Sequence, residues 1–421
     1  MKYGLIGEKL GHSFSKDIHE RITDYIYDLC PLSKEEFTAF MEKKDFTAIN
    51  VTIPYKKDVI PYLDEMDDSA KAIGAVNTIV NKNGKLIGHN TDFTGFLYMV
   101  RKHNVAMQDK KVLIIGNGGA SAAIQAVVKH EQAKEMIIVD IVAGNGAISY
   151  EECFSHHLDA DIIINTSPIG MYPKIGNAPI DISMFHKCKC VMDVIYNPIL
   201  TRLCFEAQEM DIQRVIGLEM LIAQAKQSVE FFLEKEIDDS IIDEIYQDML
   251  MERCNIVLIG MPSAGKTTIG KMLEERLGKR FIDIDDVIVE KAGKSIPEIF
   301  EASGEEGFRA IETEVAIDLS KQNNLIIATG GGTIKHKVNM DYLRQNGITI
   351  FIDRDVDKLI SSDPNRPLSK SKEALRQMHE ERHPLYVKYA AYIAMNNHAI
   401  EETVEEIENA YRHILVDAVK D

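Results

Sequence analysis

The sequence has few of the features that would place a protein in a membrane or outside the cell. Its 421 residues contain no apolar run long enough to cross a bilayer. The segment from Met1 to Gly11 lacks a charged stretch followed by an apolar one, so we expect no signal peptide. The six cysteines are scattered, with only Cys188 and Cys190 close together, which predicts neither a zinc site nor a disulfide framework. A reducing cytoplasm fits this pattern.

Positive charge is also scarce. Lys and Arg number 48 against 66 Asp and Glu, which gives a formal net charge of -18. Such a surface repels nucleic acid and anionic membranes, so we expect neither as a partner. An anionic substrate must instead meet local positive charge, which makes the basic residues inside motifs informative.

Short apolar runs alternate with helical patterns along the whole chain, without short repeats or low-complexity tracts. This alternation predicts an α/β fold with parallel sheets. The clearest predicted strands are Val112–Ile115, Met136–Val139, Ile162–Ile164, Val191–Val194, Ile256–Ile259, Leu325–Ala328 and Ile348–Ile352. The acidic segment from Leu233 to Arg253 has a helical pattern without Pro or Gly, and we expect it to close a first unit near Glu252.

A phosphate-binding loop is the strongest local signal. Residues 260–267 match G-x-x-x-x-G-K-S/T between a predicted strand and an amphipathic helix. Glycines let backbone N–H groups wrap phosphate oxygens, and the helix N-terminus adds positive potential. Lys266 would neutralise the β and γ phosphates, and Thr267 offers a hydroxyl to Mg²⁺.

Further polar motifs follow this loop. Asp283 and Asp285 are two positions apart at a strand end, which predicts that both carboxylates share one face. Arg309 and Glu312 come next, although at this spacing they could simply form a surface pair. Three glycines at positions 330–332 end a further predicted strand, and the motifs Arg366-Pro-Leu and Glu381-Arg382-His-Pro384-Leu-Tyr386 complete the set.

This ordered set resembles shikimate kinase over residues 254–421. The resemblance implies a P-loop domain like that of the nucleoside monophosphate kinases, in which Thr267 and Asp283 hold Mg²⁺ and Asp285 orients the acceptor hydroxyl of shikimate. The residues implied to bind ATP are Ser263, Ala264, Gly265, Lys266, Thr267, Thr268 and Arg366, the last within a lid from Ser361 to Lys372. Those implied to bind shikimate are Asp285, Arg309, Gly331, Gly332 and Arg382.

A dinucleotide fingerprint occupies the first half. A predicted strand leads into Gly116-Asn-Gly118-Gly119-Ala120-Ser121 and then a helix, with Ser121 where a third glycine usually stands. The helix N-terminus would receive the cofactor pyrophosphate. Asp140 ends the next strand, where a carboxylate binds the ribose 2′-hydroxyl of NAD and repels the 2′-phosphate of NADP. The alternative is that Asp140 merely terminates the strand.

Hydroxyls, amides and one lysine surround this fingerprint in several motifs, which suits a polyhydroxylated acid. They include Gly11-His-Ser13-Phe-Ser15, where we expect both hydroxyls on one side of an extended segment, and Asn50-Val-Thr52-Ile-Pro54-Tyr-Lys56. The others contain Asn77, Asp92, Tyr196, Gly217 and Gln224.

The set resembles shikimate dehydrogenase over about the first 250 residues. The resemblance implies a catalytic lobe of residues 1–97 with 218–250 and a Rossmann lobe of residues 98–217. It makes Lys56 and Asp92 the catalytic pair, with the proton passing through one of the two. The residues implied to bind substrate are Ser13, Ser15, Asn50, Thr52, Lys56, Asn77, Asp92, Tyr196 and Gln224. Those implied to bind the cofactor are Gly116, Gly118, Gly119, Ala120, Ser121, Asp140 and Gly217.

The sequence departs from the dehydrogenase family at two places. Lys16 stands where the family usually has Pro. The chain reads Val139-Asp140-Ile141-Val142 where the family usually has Asn-Arg-Thr, whose Arg binds the NADP 2′-phosphate, and Lys134 is a weak substitute for it. Both NADP and NAD therefore stay open as cofactors.

Together the two resemblances predict a bifunctional enzyme that reduces 3-dehydroshikimate to shikimate with NAD(P)H and phosphorylates shikimate to shikimate 3-phosphate with MgATP. One alternative is an NAD-dependent quinate/shikimate dehydrogenase in the first half, favoured by Asp140. The other is a non-catalytic metabolite sensor, against which the presence of Lys56, Asp92, Lys266, Asp285 and Arg382 argues.

Overall fold

Three β-sheets organise the chain, and every strand predicted above lies in one of them. The computed structural model describes residues 1–11, 13–359 and 372–420, with side chains described as far as Val416. The backbone divides into two units, Met1–Tyr246 and Gln247–Asp421. In the described part of the chain, we find no helix with the length and apolar character needed to span a membrane.

The first sheet is mixed. Its strands are β1 (Tyr3–Gly7), β2 (Tyr27–Pro31), β3 (Ala48–Val51), β4 (Glu65–Met66), β5 (Thr78–Lys82) and β6 (Lys85–His89), in the order β2-β1-β3-β5-β6-β4. Strands β1, β2 and β3 run parallel, whereas β5 is antiparallel to both β3 and β6. The helices in this part of the chain are α1 (Ser15–Ile22), α2 (Lys34–Lys43) and α3 (Asp68–Ile73).

The second sheet is wholly parallel. Its strands are β7 (Lys111–Ile115), β8 (Glu135–Val139), β9 (Ala147–Ile148), β10 (Ile162–Asn165), β11 (Cys190–Asp193) and β12 (Gln213–Val215), in the order β12-β11-β10-β7-β8-β9. Numbered from β7, this is the doubly wound Rossmann order 3-2-1-4-5-6, whose ligands bind where the order reverses, between β7 and β10. The remaining helices of this unit are α4 (Thr91–Lys102), α5 (Ser121–His130), α6 (Tyr150–His156), α7 (Arg202–Glu209) and α8 (Leu218–Leu233).

Helices α4 and α8 pack closely against each other and join the two lobes of the first unit. A Cβ placed on Gly95 would lie only 2.8 Å from the carbonyl oxygen of Met220, so only glycine allows this approach. Phe96 and Met99 of α4 lie in the apolar core of the second sheet. The predicted boundary between residues 97 and 98 therefore falls inside a helix that serves both lobes.

The second unit has a third, wholly parallel sheet. Its strands are β13 (Asn255–Ile259), β14 (Arg280–Asp283), β15 (Leu325–Ala328), β16 (Gly347–Asp353) and β17 (Tyr392–Met395), in the order β14-β15-β13-β16-β17. The helices are α9 (Ser240–Arg253), which crosses from the first unit, α10 (Lys266–Leu277), α11 (Ile284–Ala292), α12 (Ile296–Ser320), α13 (Lys337–Gln345), α14 (Lys372–Tyr389) and α15 (Ile400–Lys420).

The helix predicted from Leu233 to Arg253 is shorter than expected. Helix α8 ends at Leu233 because Glu234 takes a left-handed backbone conformation, with φ of 50°. The next helix, α9, begins only at Ser240. The connection between the two units is nevertheless helical, since their division falls between Tyr246 and Gln247.

Candidate active sites

A buried lysine–aspartate pair lies at the centre of the first unit. Asn90 caps α4 by accepting a hydrogen bond from the backbone N–H of Asp92, which places Asp92 in the first helical turn, where the helix dipole favours a carboxylate. Nζ of Lys56 lies 2.6 Å from Oδ2 of Asp92. Side-chain exposures of 15% and 9% leave the pair partly accessible while removing most competing water.

Amides orient this pair from the opposite side. Asn77 donates from Nδ2 to Oδ1 of Asp92 over 2.9 Å, and its Oδ1 accepts from the N–H of Thr91 over 2.8 Å. Gln224 on α8 accepts from the Thr91 hydroxyl over 3.3 Å. Each oxygen of Asp92 therefore accepts a hydrogen bond from a different side chain, which fixes the carboxylate in one orientation.

Asn50 belongs to the same network but is occupied on every side. Its Oδ1 accepts from the Tyr27 hydroxyl over 2.7 Å, and its Nδ2 donates to Thr78 and Ser228. Asn50 therefore holds these neighbouring side chains in place through its hydrogen bonds.

Tyr27, Thr78, Thr91 and Ser228 were missed as site residues. The signal for Ser228 was its position one helical turn after Gln224, which places both on the same face of α8.

The hydroxyls of Ser13 and Ser15 lie close together, but the segment that carries them is not extended. The Ser13 hydroxyl lies 3.1 Å from that of Ser15, but Ser15 begins helix α1. The expectation of extended backbone was wrong because Phe14 already has a helical conformation, with φ of -85° and ψ of -3°. The Phe14 ring lies 5.0 Å from that of Tyr196, which brings Tyr196 of the second lobe to the serines of the first. Thr52 is half-buried just beyond β3.

The glycine-rich loop after β7 lies at the topological switch point. Gly116 has φ of +99°, and a Cβ there would lie 3.0 Å from the backbone nitrogen of Ser167 after β10. A Cβ on Gly118 would meet nothing within 4 Å, and one on Gly119 would lie 4.0 Å from Cδ of Lys56. The loop thus opens toward free space beside the catalytic candidate, as a bound dinucleotide requires.

The helix after this loop is closely packed. Ala120 is the N-cap of α5, and Ser121 is completely buried, with its hydroxyl accepting from Gln125 over 3.1 Å. A small side chain therefore fits where the fingerprint usually has its third glycine. Gly217 at the start of α8 is equally confined, because a Cβ there would lie 2.4 Å from the carbonyl oxygen of Val194.

Asp140 is directed at the glycine-rich loop. Its Oδ2 accepts from the N–H of Asn117 over 2.7 Å, and its Oδ1 accepts from the N–H of Val142 over 3.1 Å. Ile141 and Val142 expose 83% and 73% of their surface beside it. Lys134 precedes the opposite end of β8, about 20 Å away at 3.3 Å per residue, so it cannot reach this edge.

The phosphate-binding loop of the second unit has the predicted strand–loop–helix context. Gly260, Ser263 and Gly265 have positive φ angles of 149°, 63° and 104°. Nζ of the buried Lys266 donates to the carbonyl oxygens of Gly260 and Met261 over 2.8 and 2.9 Å. Asn396, which directly follows β17, supports the loop by donating to the Ala264 carbonyl over 2.7 Å. Thr268 is exposed on the first turn of α10.

Oxygen donors suited to Mg²⁺ lie beside this loop. The Thr267 hydroxyl donates to Oδ2 of Asp283 over 2.9 Å. A hydroxyl and a carboxylate are the hard ligands that Mg²⁺ prefers. The expectation that Asp283 and Asp285 share a strand face was wrong, because β14 ends at Asp283 and α11 begins at Ile284. Asp283 is the N-cap of α11 and accepts from the N–H of Asp285 over 3.1 Å.

Asp285 lies beside the glycine run after β15. A Cβ on Gly330 would lie 3.1 Å from both Asp285 Oδ1 and Glu312 Oε1, and one on Gly331 would lie 2.8 Å from Cδ of Pro262. The run therefore connects the phosphate-binding loop with the predicted acceptor pocket.

Arg309 is buried beside the same glycine run. Its Nη1 donates to Glu312 over 2.8 Å, Glu312 is fully buried, and Thr333 donates to the other oxygen of Glu312 over 2.6 Å. A Cβ on Gly332 would lie 2.3 Å from Nη2 of Arg309. The surface-pair alternative for Arg309 and Glu312 was therefore wrong.

Arg382 approaches the same glycine run from α14. Its Nη1 donates to the Gly331 carbonyl over 2.9 Å, and the Tyr386 hydroxyl donates to the same oxygen over 2.6 Å. Arg382 is 5% exposed, and its buried Nε has no hydrogen-bond partner among the described residues, so donor capacity is left for a ligand. Arg366 and the predicted lid, up to residue 371, lie outside the described residues.

The fold and the two sites define a bifunctional nucleotide-using enzyme, with a dinucleotide-dependent oxidoreductase in the first unit and a P-loop phosphotransferase in the second. A family model of the shikimate dehydrogenase substrate-binding domain matches residues 5–79, and one of shikimate kinase matches residues 262–412.

Known proteins match the first part of the chain. The NADP(+) shikimate dehydrogenase of Clostridium beijerinckii is 36% identical over 261 residues, which cover 58% of this chain and 96% of that protein. A solved chorismate mutase/shikimate 5-dehydrogenase fusion protein from Clostridium acetobutylicum is 38% identical with a TM-score of 0.55, over 59% of this chain and 96% of that one. Shikimate dehydrogenase 1 from Peptoclostridium difficile is 34% identical with a TM-score of 0.55, over 59% and 98% of the two chains.

The chain belongs to the shikimate dehydrogenase family and carries a shikimate kinase domain in its second unit. It is a bifunctional enzyme of the shikimate pathway, with an oxidoreductase and a phosphotransferase in one chain. The predicted fold class and pair of enzyme classes are confirmed.

Proposed function

We propose that the first unit reduces 3-dehydroshikimate at Lys56 and Asp92, and that the second phosphorylates the resulting shikimate at Asp285. The observation that carries the first assignment is the 2.6 Å Lys56–Asp92 pair, held by amides and placed beside the glycine-rich loop. The glycine-rich loop would hold a nicotinamide dinucleotide, which would supply the hydride for reduction of the substrate carbonyl carbon.

Lys56 is the proton donor in this proposal. Oδ1 of Asp92 already accepts from Asn77 and Oδ2 accepts from Lys56, so the carboxylate is engaged as an acceptor. The Lys56 ammonium has further N–H groups that can point to the substrate carbonyl oxygen. Asp92 thus orients the Lys56 side chain, and Lys56 gives its proton to the developing alkoxide.

The polar groups around the pair bind the rest of the substrate. Ser13, Ser15 and Tyr196 form one side, where two hydroxyls and a phenol suit a carboxylate. Gln224 contacts the network around the pair through Thr91, and we assign Thr52 to the substrate as well. Asn50 and Asn77 act mainly by positioning their neighbours, because their own hydrogen bonds are largely used within the network.

The kinase assignment relies on positioning and charge. Lys266 and the loop N–H groups hold the ATP phosphates, and Thr267 and Asp283 are the oxygen donors that would hold Mg²⁺. Asp285 lies next to the glycine run and orients the acceptor hydroxyl. Arg309 and Arg382 grip the shikimate carboxylate, for which planar guanidinium groups are suited.

NADH is the preferred reductant in this proposal. Asp140 presents a carboxylate at the loop where the adenosine ribose binds, and a 2′-phosphate there would meet like charge. The exposed Ile141 and Val142 offer an apolar surface to the adenine. One solved relative, the shikimate 5-dehydrogenase of Listeria monocytogenes, is described in complex with shikimate and NAD, at 28% identity and a TM-score of 0.51.

Turnover with NADH and with NADPH tests this preference. We expect the full chain to have the higher kcat/KM with NADH, and Asp140→Ala to shift the ratio toward NADPH by about tenfold or more, since two like charges about 4 Å apart repel by about 1–4 kcal/mol between bulk water and a protein surface. Glu135→Ala, at the other end of β8, is the control and should leave the ratio unchanged. A preference for NADPH that the Asp140 variant does not alter would contradict the assignment.

A catabolic quinate/shikimate dehydrogenase is the second candidate for the first unit, since Asp140 also suits NAD-dependent oxidation. Quinate oxidation faster than shikimate oxidation would favour it. We further propose that the chain divides into a lobe of residues 1–97 with 218–250, a lobe of residues 98–217 and a kinase domain of residues 254–421, because each of the three contains its own sheet. We also propose a cytoplasmic location.

A further inference from the structure

Two histidines and one aspartate meet at a place in the second unit that neither reaction uses. Asp353 is the last residue of β16, and His379 and His383 lie one turn apart on α14. One ligand atom from each of the three lies within 4.8 Å of the others. We infer that Asp353, His379 and His383 bind a divalent transition-metal ion of the Zn²⁺ class.

The separation of two of the three ligand atoms fits a metal site. Nε2 of His383 lies 3.4 Å from Oδ2 of Asp353, which is long for a hydrogen bond. Ligand atoms of a tetrahedral site with bonds of about 2.0–2.1 Å are separated by about 3.3–3.4 Å, so this pair already spans one edge of such a site. Histidines at i and i+4 on a helix point to the same side and can chelate one ion.

The surrounding side chains hold the ligands in place. His383 packs edge-on against Phe351, with ring centroids 5.5 Å apart, and Phe351 stacks on Tyr386 at 4.9 Å. Phe351 is two residues before Asp353, so one strand provides both a ligand and the support for another. The neighbours Met378 and Arg382 are buried and anchor α14 on either side of His379. A preorganised set of ligands of this kind loses little freedom on binding.

The chemical type of the three donor groups determines which metal ions the site prefers. Two imidazoles and one carboxylate suit Zn²⁺, Co²⁺ or Ni²⁺, whereas Mg²⁺ prefers oxygen ligands throughout. All three residues are partly exposed, which leaves room for a water as a fourth ligand. The site is therefore chemically separate from Thr267 and Asp283, and its occupancy does not depend on the reaction proposed above.

Its place in the fold gives a bound ion a structural consequence. The carbonyl of Ile352, next to Asp353, faces the phosphate-binding loop, since a Cβ on Gly260 would lie 2.5 Å from that oxygen. His383 follows Arg382, the proposed shikimate ligand. A metal ion bound by residues of both β16 and α14 would cross-link these two elements of the kinase unit.

Cobalt titration of the untagged, chelator-treated full chain tests the inference. In excess Mg²⁺ and a thiol-free reducing buffer, we expect one Co²⁺ per chain with the intense visible absorption of a four- or five-coordinate ion, and displacement of Co²⁺ by Zn²⁺. His379→Ala and Asp353→Asn should each weaken binding at least about tenfold, because even indirect partners of a metal ligand are worth 10–100-fold. His398→Ala, an exposed histidine of the same unit, should bind like the wild type.

The circular dichroism spectrum and the thermal unfolding transition check that each variant is folded. Only folded variants are compared, and His379→Asn replaces His379→Ala if the latter does not fold. Absence of visible absorption in the wild type would overturn the inference, as would wild-type Co²⁺ affinity in a folded His379/His383 double variant. Failure of the dehydrogenase or kinase assignments would leave these outcomes unchanged.

Discussion

The two proposed active sites of this chain use different physical means to bind closely related polyhydroxylated acids. The site of the first unit is a network of amides and hydroxyls around one ion pair, Lys56–Asp92. The second presents buried cations, Lys266, Arg309 and Arg382, whose partners include backbone carbonyls and the carboxylates of Glu305 and Glu312. The first reaction moves a hydride and a proton, whereas the second handles a highly charged phosphate.

A protein with net charge -18 needs such local cations wherever it binds anions. We therefore expect the second site to bind its ligands mainly through a few charged groups, whereas the first uses many weak hydrogen bonds. Single substitutions should accordingly harm the second site more than the first.

Removal of the loop lysine should give the largest effect. We expect Lys266→Met to lower the kinase kcat about 10³-fold or more, because this cation neutralises charge on the transferred phosphoryl group. Shikimate dehydrogenase turnover should be unchanged. Lys271→Met, exposed on the same helix, is the control, and a Lys266 variant with near-normal kinase turnover would show that the loop charge is dispensable.

Loss of the first site's lysine should come next. Lys56→Met should reduce the dehydrogenase kcat by about 10²–10⁴-fold, the usual worth of a positioned proton donor. The adjacent and exposed Lys57→Met should behave like the wild type. Steady-state assays of both activities measure this, and equal losses in the two variants would mean that Lys56 acts only through net charge.

A conservative change in the second site should be smaller but still measurable. Arg382→Lys keeps the charge but loses the planar fork, so the KM for shikimate should rise about 10–100-fold, equivalent to a charged hydrogen bond of about 1.5–3 kcal/mol. The KM for ATP should hardly change. Arg376→Lys, exposed on the same helix, provides the comparison, and an unaltered shikimate KM for Arg382→Lys would remove this residue from the acceptor pocket.

The apolar support of the first site should make its stability depend on pH. Burial lowers the pKa of His19 from 6.5 to about 3, and the ring stacks on Tyr27 at 4.0 Å, behind Asn50. The folded protein therefore resists protonation of His19, whereas the unfolded chain accepts the proton below pH 6.5. This histidine's contribution is complete above that pH and declines as the pH falls, by about 2 kcal/mol at pH 5.

His19→Phe keeps the aromatic stacking and should flatten this dependence. We expect the unfolding transition of the first unit to lose less stability between pH 7 and pH 5 in the variant than in the wild type. The exposed His156→Phe should retain the wild-type slope. Identical slopes in all three proteins would contradict the predicted effect of burial.

Most of the fold was predictable because it depends on short-range patterns. Apolar runs such as Leu325–Ala328 become strands with the predicted bounds, and both glycine-rich loops lie between a strand and a helix. These features are set by the residues within one or two turns of each element.

The site features that the sequence did not predict depend on where helices and strands end and on which of them pack together. Asp285 lies in α11 and not in the strand, because β14 is only four residues long. No local sequence signal sets that length. The burial of Arg309 depends on its packing against Gly332, and Ser228 joins the first site only because α8 crosses α4 at Gly95. The Asp353, His379 and His383 cluster likewise requires β16 and α14 to be adjacent.

The most direct test of two independent sites in one chain is product analysis in a single reaction. The full-length protein receives 3-dehydroshikimate, NADH, NADPH and MgATP, and shikimate and shikimate 3-phosphate are quantified over time. The wild type should form shikimate 3-phosphate, Lys266→Met should stop at shikimate, and Lys56→Met should form product only from added shikimate. Accumulation of shikimate 3-phosphate from 3-dehydroshikimate by either variant at the wild-type rate would contradict the account.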